Sequence, residues 1–165
     1  MELDSNLPDG ILEAIGFAAI YHKDQTYNCK PYVDAHLIPV YKEVCNWVHA
    51  PSPVHVASIL HDVLEDTRAT KLDIEKLFGV YVSELVWRLT DESGVNRKER
   101  KAKTYPKIRE DTYAVLIKLC DRLINMRAGG KLDMYRKEYP EFKAALHIDG
   151  EYEDLWNELD LLAVP

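Results

Sequence analysis

Residues 57–67, ASILHDVLEDT, carry an apolar run that turns abruptly into charge. Upstream, Ser52 and Pro53 supply a helix start, because proline's missing N–H costs nothing in the first turn. Val54, Ala57, Ile59, Leu60, Val63 and Leu64 leave little polar surface, so the helix is expected to be central and buried. His61 and Asp62 stand near its end. Glu65 follows His61 by four residues and Asp66 follows Asp62 by four, a spacing that shares a helix face. The helix end thus presents imidazole over carboxylate and carboxylate over carboxylate. Unpaired ions cost several kcal/mol to bury, and a divalent cation would draw these donors together.

Working outward, the dominant period is helical. Ile11, Leu12, Ile15, Ala18 and Ala19 form one stripe, with Asp9 as a plausible N-cap. Residues 24–31, broken by Asn28 and Pro31, read as a loop. A second helix is expected over about 34–49, with Leu37, Val40, Tyr41, Val44 and Trp47 or Val48 inward. Thr70 and Asp73 resemble a capping box, followed by a helix through Leu77 and another over about 80–90. Apolar order resumes over about 110–127 and in two segments near 132–146 and 150–162. No strand alternation persists. The prediction is an all-α, single-domain helical bundle spanning residues 1–165.

The 165 residues include 47% hydrophobic and 30% charged, too much apolar content for a disordered chain. A formal net charge of −7 disfavours non-specific binding to a nucleic-acid polymer. Cys29, Cys45 and Cys120 are odd in number and contain no CxxC, which suits a reducing, cytoplasmic setting. The N-terminus shows no signal-peptide pattern, and no apolar stretch approaches the roughly 18–20 residues of a membrane span.

A lone His-Asp pair is commonly a surface ion pair. Here His36 sits on the second helix, and Asp121 interrupts the apolar run LIKLCDRLINM, where a carboxylate is otherwise excluded. Asn125 shares the Asp121 face. Two histidines and two aspartates would make a mixed N/O site suited to Mn²⁺, Fe²⁺ or Zn²⁺. Arg97, Lys98, Arg100, Lys101 and Lys103 form the dense positive cluster, readable as a solvated helix face or as counter-charges for phosphates. Trp47, Trp87 and Trp156 read as core; His49, His55 and His147 as ordinary histidines. Asp111 reads as a solvated face, and His22 as a packing residue.

The ordered set H…HD…D resembles the HD-domain metal-dependent phosphohydrolases. More narrowly, HDVLEDT, LVWRLTD, KLCDRLINMR and AAIYHKDQ…KPYVDAH resemble the hydrolase domain of RelA/SpoT proteins, over about residues 11–146. The resemblance implies removal of pyrophosphate from the 3′ position of (p)ppGpp, a small nucleotide, usually with Mn²⁺. It implies His36, His61, Asp62 and Asp121 as metal ligands, Glu65 and Asp66 handling the water and its proton, and Asn125 contacting the nucleotide. Lys98, Arg100 and Lys23 would meet phosphates.

Two positions depart from the family pattern. Tyr27 stands where the family has a purine-contacting arginine; a tyrosine can stack on a base but lacks the guanidinium fork. The family's PYI-x-H-P becomes PYVDAHLIP, so His36 follows Pro31-Tyr32 by one residue more. Tyr27 keeps another nucleotide substrate open, such as a dNTP, a nucleoside monophosphate or a 2′-phosphorylated dinucleotide. A non-catalytic nucleotide-sensing module is the alternative of another class; the Glu65-Asp66 pair speaks against it.

Overall fold

In the structure, a computed structural model describing residues 7–47 and 50–164, helices dominate. Val48, His49 and the side chain of Trp47 lie outside the described residues, so the expectations placed on them are not addressed. The chain divides into two units, residues 1–87 and 88–165.

In the first unit, α1 (Ile11–Tyr21) packs on α3 (Ser52–Leu60), and α2 (Ile38–Trp47) packs on α3 as well. Ile11, Ala14 and Ala18 from α1, Val40 and Val44 from α2, and Val54, Ala57 and Leu60 from α3 are buried. Burial of each large aliphatic side chain stabilises by about 1.5–3 kcal/mol, which outweighs the weak propensity of β-branched residues for helix. The start of α1 is set by Gly10 at φ 83, not by Asp9. At α3 the N-cap is Pro51, and no side chain caps it, so Ser52 is the first helical residue rather than the cap.

Residues 24–31 form a hairpin instead of an irregular loop: β1 (Thr26–Tyr27) pairs antiparallel with β2 (Lys30–Pro31). Its two turn residues, Asn28 (φ 50) and Cys29 (φ 62), occupy the left-handed region that a tight hairpin turn requires. A π-helical turn, Val33–Leu37, leads into α2. The unit continues through α4 (Val63–Asp66) and α5 (Lys71–Phe78) into α6 (Val80–Leu89). The expected Thr70–Asp73 capping box opens α5: the Asp73 amide donates to Thr70 Oγ1, and the Thr70 amide donates to Asp73 Oδ2. Trp87 is not a core residue. The residue is 38% exposed, and its ring carries the Lys71 ammonium 5.1 Å from its centroid.

In the second unit, α7 (Arg97–Arg109), α8 (Thr112–Ala128), α9 (Leu132–Leu146) and α10 (Glu153–Ala163) pack around Ile108, Leu116, Leu119, Phe142, Leu146, Trp156 and Leu159. Asp111 is the N-cap of α8 rather than part of a solvated face. Its Oδ1 accepts from the Tyr113 and Ala114 amides, satisfying donors that a helix start leaves open.

Candidate metal centre

The buried helix α3 runs to Leu60 and stops at the charged dipeptide itself. His61 is still helical, Asp62 (φ −99, ψ −4) leaves the helix, and α4 resumes at Val63. The Asp66 amide nevertheless donates to the Asp62 carbonyl at 2.9 Å, so these two residues keep their four-residue relationship across the break.

The His61 ring is buried, and its Nδ1 hydrogen-bonds the Ser58 carbonyl at 2.8 Å. A carbonyl only accepts, so Nδ1 carries the proton, and in the neutral ring Nε2 directs its lone pair at Asp62 Oδ2, 3.1 Å away. His36 Nε2 lies 3.3 Å from the same oxygen. Donor atoms of His36, His61 and Asp62 all lie within 4.8 Å of one another. Electron-rich nitrogen and oxygen atoms at these separations repel unless a proton or a cation lies between them. Two imidazoles and a carboxylate are the donor set of first-row divalent cations, so these residues fit a metal ion.

His36 reaches this position through the π-helical turn. The Ile38 amide bonds the Val33 carbonyl, five residues back instead of four. The turn therefore holds the one residue by which PYVDAH exceeds the family spacing, and His36 faces Asp62 despite the displacement. The Tyr27 ring stacks on His36 with centroids 5.1 Å apart at 23°. One face of the Tyr27 ring is thus covered by His36.

Two further residues brace the site, and the sequence reading gives neither of them a role there. Tyr32 donates its phenol proton to Asp62 Oδ2 at 2.5 Å. Gln25 donates from Nε2 to the Asp66 carbonyl at 2.7 Å, and its Oε1 meets His22 Nδ1 at 2.8 Å. His22 packs as expected: it is buried and stacked on Tyr32 with centroids 4.9 Å apart. Burial pushes its imidazole below the ordinary value, against the hydrogen bond to Gln25. Gln25 stands in the motif HKDQ and Tyr32 in KPY, and that membership is the signal the sequence offers for both.

Glu65 and Asp66 lie exposed on α4. The Asp66 carboxyl is pushed up to about 6, first by desolvation in its turn and then by the Asp62 and Glu65 carboxylates. Lys23 is exposed, 3.6 Å from Asp24.

The other expected site residues belong to the second unit. Asp121 is buried on α8; its Oδ2 accepts from Lys118 Nζ at 2.8 Å and its Oδ1 from Asn125 Nδ2 at 2.6 Å. The basic stretch folds as α7, and its cations meet carboxylates: Arg97 with Glu138 at 2.6 Å, Lys98 with Glu141 at 2.7 Å, Lys101 with Asp91 at 2.7 Å. Arg100 Nε is 3.8 Å from Asp91. Arg97, Lys98 and Lys101 also line a cavity of about 970 Å³ between α7 and α9, whose lining includes Tyr105 and Met134.

Comparison with known proteins gives the family. Residues 14–159, running through both units, match the model of the HD domain. The chain is 37% identical over 124 residues to the guanosine-3′,5′-bis(diphosphate) 3′-pyrophosphohydrolase MESH1 of Drosophila melanogaster, covering 70% of this chain and 67% of that protein. It is 32% identical over 135 residues to the Spiroplasma citri protein called guanosine-3′,5′-bis(diphosphate) 3′-pyrophosphohydrolase, 78% of this chain but only 18% of that much longer one. The solved structure of a metazoan orthologue of SpoT, described as hydrolysing ppGpp and playing a role in starvation responses, superposes with a TM-score of 0.80. The two are 29% identical, and the match covers 96% of each chain. The all-α architecture is that of this structure, and the chain belongs to the HD-domain family.

Proposed function

We propose that the protein hydrolyses (p)ppGpp at its 3′ position, adding water to release pyrophosphate and leave GDP or GTP. The relatives named for this reaction support the reading, but the observation that carries it is local. His36 Nε2 and His61 Nε2 converge on one oxygen of Asp62, from a π-turn and a helix end. In this reading His36, His61 and Asp62 hold a divalent cation, Mn²⁺ by family resemblance, and the resemblance implies Asp121 as a further ligand. When bound, such an ion neutralises charge on the phosphoryl group and lowers the pKa of water.

The chain's own residues do the rest. Glu65 and Asp66 sit one turn beyond Asp62, where a carboxylate can take the proton of the attacking water. With its carboxyl near 6, Asp66 is mostly ionised at neutral pH and still basic enough to accept a proton. Asn125, hydrogen-bonded to Asp121, is assigned to orient that carboxylate and contact the nucleotide. Lys23, Tyr27, Lys98 and Arg100 are assigned to the nucleotide. Lys98 and Arg100 would exchange Glu141 and Asp91 for phosphate oxygens, a trade between anions that needs no bare buried cation.

A second reading keeps the chemistry and changes the nucleotide substrate, and Tyr27 favours it: its ring packs on His36 where the family uses an arginine. A chromatographic panel of ppGpp, dNTPs, nucleoside monophosphates and 2′-phosphorylated dinucleotides separates the two. Preference for ppGpp supports the first reading; release of phosphate from another nucleotide with ppGpp untouched supports the second. No helix among the described residues is long and apolar enough to cross a membrane, and a cytoplasmic site of action completes the proposal.

A further inference from the structure

We propose that Tyr32 is a positioning residue for Asp62, holding that carboxylate in the orientation that captures the metal ion. The inference rests on the metal reading above and adds a residue to it. Asp62 stands in a break between two helices, and the bond from the Asp66 amide to its carbonyl leaves the direction of its carboxylate unset. A phenol donating at 2.5 Å fixes it from outside. The phenol is itself held: its ring stacks on buried His22 at 4.9 Å and 24° and packs against His36 at 5.2 Å.

His22 passes the same constraint onward. Its Nδ1 meets Gln25, and Gln25 binds the carbonyl of Asp66, closing a loop around the turn that runs from Asp62 to Asp66. The hairpin supplies the geometry, because the Tyr32 amide bonds the Gln25 carbonyl at 3.1 Å across it. Carboxylate ligands are characteristically oriented by such hydrogen bonds, and losing one costs about 10–100-fold in metal affinity. Tyr32 does not touch the reacting atoms in this scheme. It acts through Asp62.

The test is Mn²⁺ affinity of the full chain, measured by competition with a chromophoric chelator, for wild type, Tyr32→Phe and Tyr32→Trp. Phenylalanine keeps the ring against His22, and both variants lack the hydroxyl. Metal-free thermal melts confirm that each folds. The expected result is a Kd about 10–100-fold weaker in both variants. Nucleotide turnover should be recovered by saturating Mn²⁺, a rescue that a general loss of structure would not allow. Variants that bind Mn²⁺ as tightly as wild type overturn the inference alone. A wild type that takes up no Mn²⁺ overturns the metal reading and this inference with it.

Discussion

His36 Nε2 lies 3.3 Å from Asp62 Oδ2, though the two residues come from separate segments and His36 is out of register with the family spacing by one residue. The π-helical turn Val33–Leu37 reconciles the two facts. It stores one extra residue without rotating the imidazole away from Asp62.

The π-turn can be tested by changing its length. Deleting Ala35 should convert it to an α-turn and retain Mn²⁺ binding, since His36 keeps its bearing. Inserting one alanine between Ala35 and His36 should swing the imidazole by about 100° and abolish binding. Isothermal titration of Mn²⁺ into both variants checks the pair; loss of binding in the deletion would contradict the role given to the π-turn.

Removing the proposed proton acceptor should cost rate without cost to metal binding. Asp66→Asn is expected to lower kcat by about 10²–10⁴-fold, the usual weight of a general base, while the Mn²⁺ Kd changes little. A wild-type acidic limb at or below about pH 6 should accompany it, because protonated Asp66 cannot accept. Full activity in Asp66→Asn would pass the role to Glu65.

The same carboxyl makes metal-free stability depend on pH. Its folded value of about 6 lies above the ordinary 3.8, so the folded chain binds this proton more tightly than the unfolded chain does. That contribution to stability is fully present below pH 3.8 and is lost as pH rises through 6. Chelator-treated wild type should therefore lose more of its melting temperature between about pH 4 and 7 than Asp66→Asn does. Parallel curves for the two proteins would exclude the effect.

In the second unit, Lys101 is buried against Asp91, and burial together with the Lys118 charge holds its ammonium below the ordinary value. Asp91→Ala would strand that cation, at an expected cost of about 3–5 kcal/mol in urea unfolding. The double substitution Asp91→Asn with Lys101→Met should recover most of it. Equal losses in the single and double variants would show that the pair contributes no coupling.

The legible parts of the chain were those where one physical signal dominated. The apolar run before His61 placed α3, and Thr70 with Asp73 placed the start of α5, because capping is a local hydrogen-bond exchange. Two-residue strands are too short to alternate, so the hairpin around Asn28-Cys29 left no period to read. The basic stretch was readable as a helix face, but not its burial. The buried residues of α7 include Lys101 and Lys107, whose ammonium groups meet the carboxylates of Asp91 and Glu92, ten and fifteen residues away in the chain. Trp87 misled through its apolar neighbours, although a helix face beside Lys71 stays open to solvent.

At the site, His61, Asp62 and their partner His36 were legible as chemistry. The break between α3 and α4 was not, because nothing in LHDVLED breaks a helix by propensity. Tyr32 is a residue whose type says nothing until its hydroxyl is seen against Asp62.

The most direct measurement is phosphorus NMR of ppGpp incubated with the purified chain and Mn²⁺, alongside Asp62→Ala. Wild type should release intact pyrophosphate and GDP in equal amounts, and Asp62→Ala should release neither. Unchanged ppGpp with wild type, or the same products from Asp62→Ala, would contradict metal-dependent hydrolysis at this site.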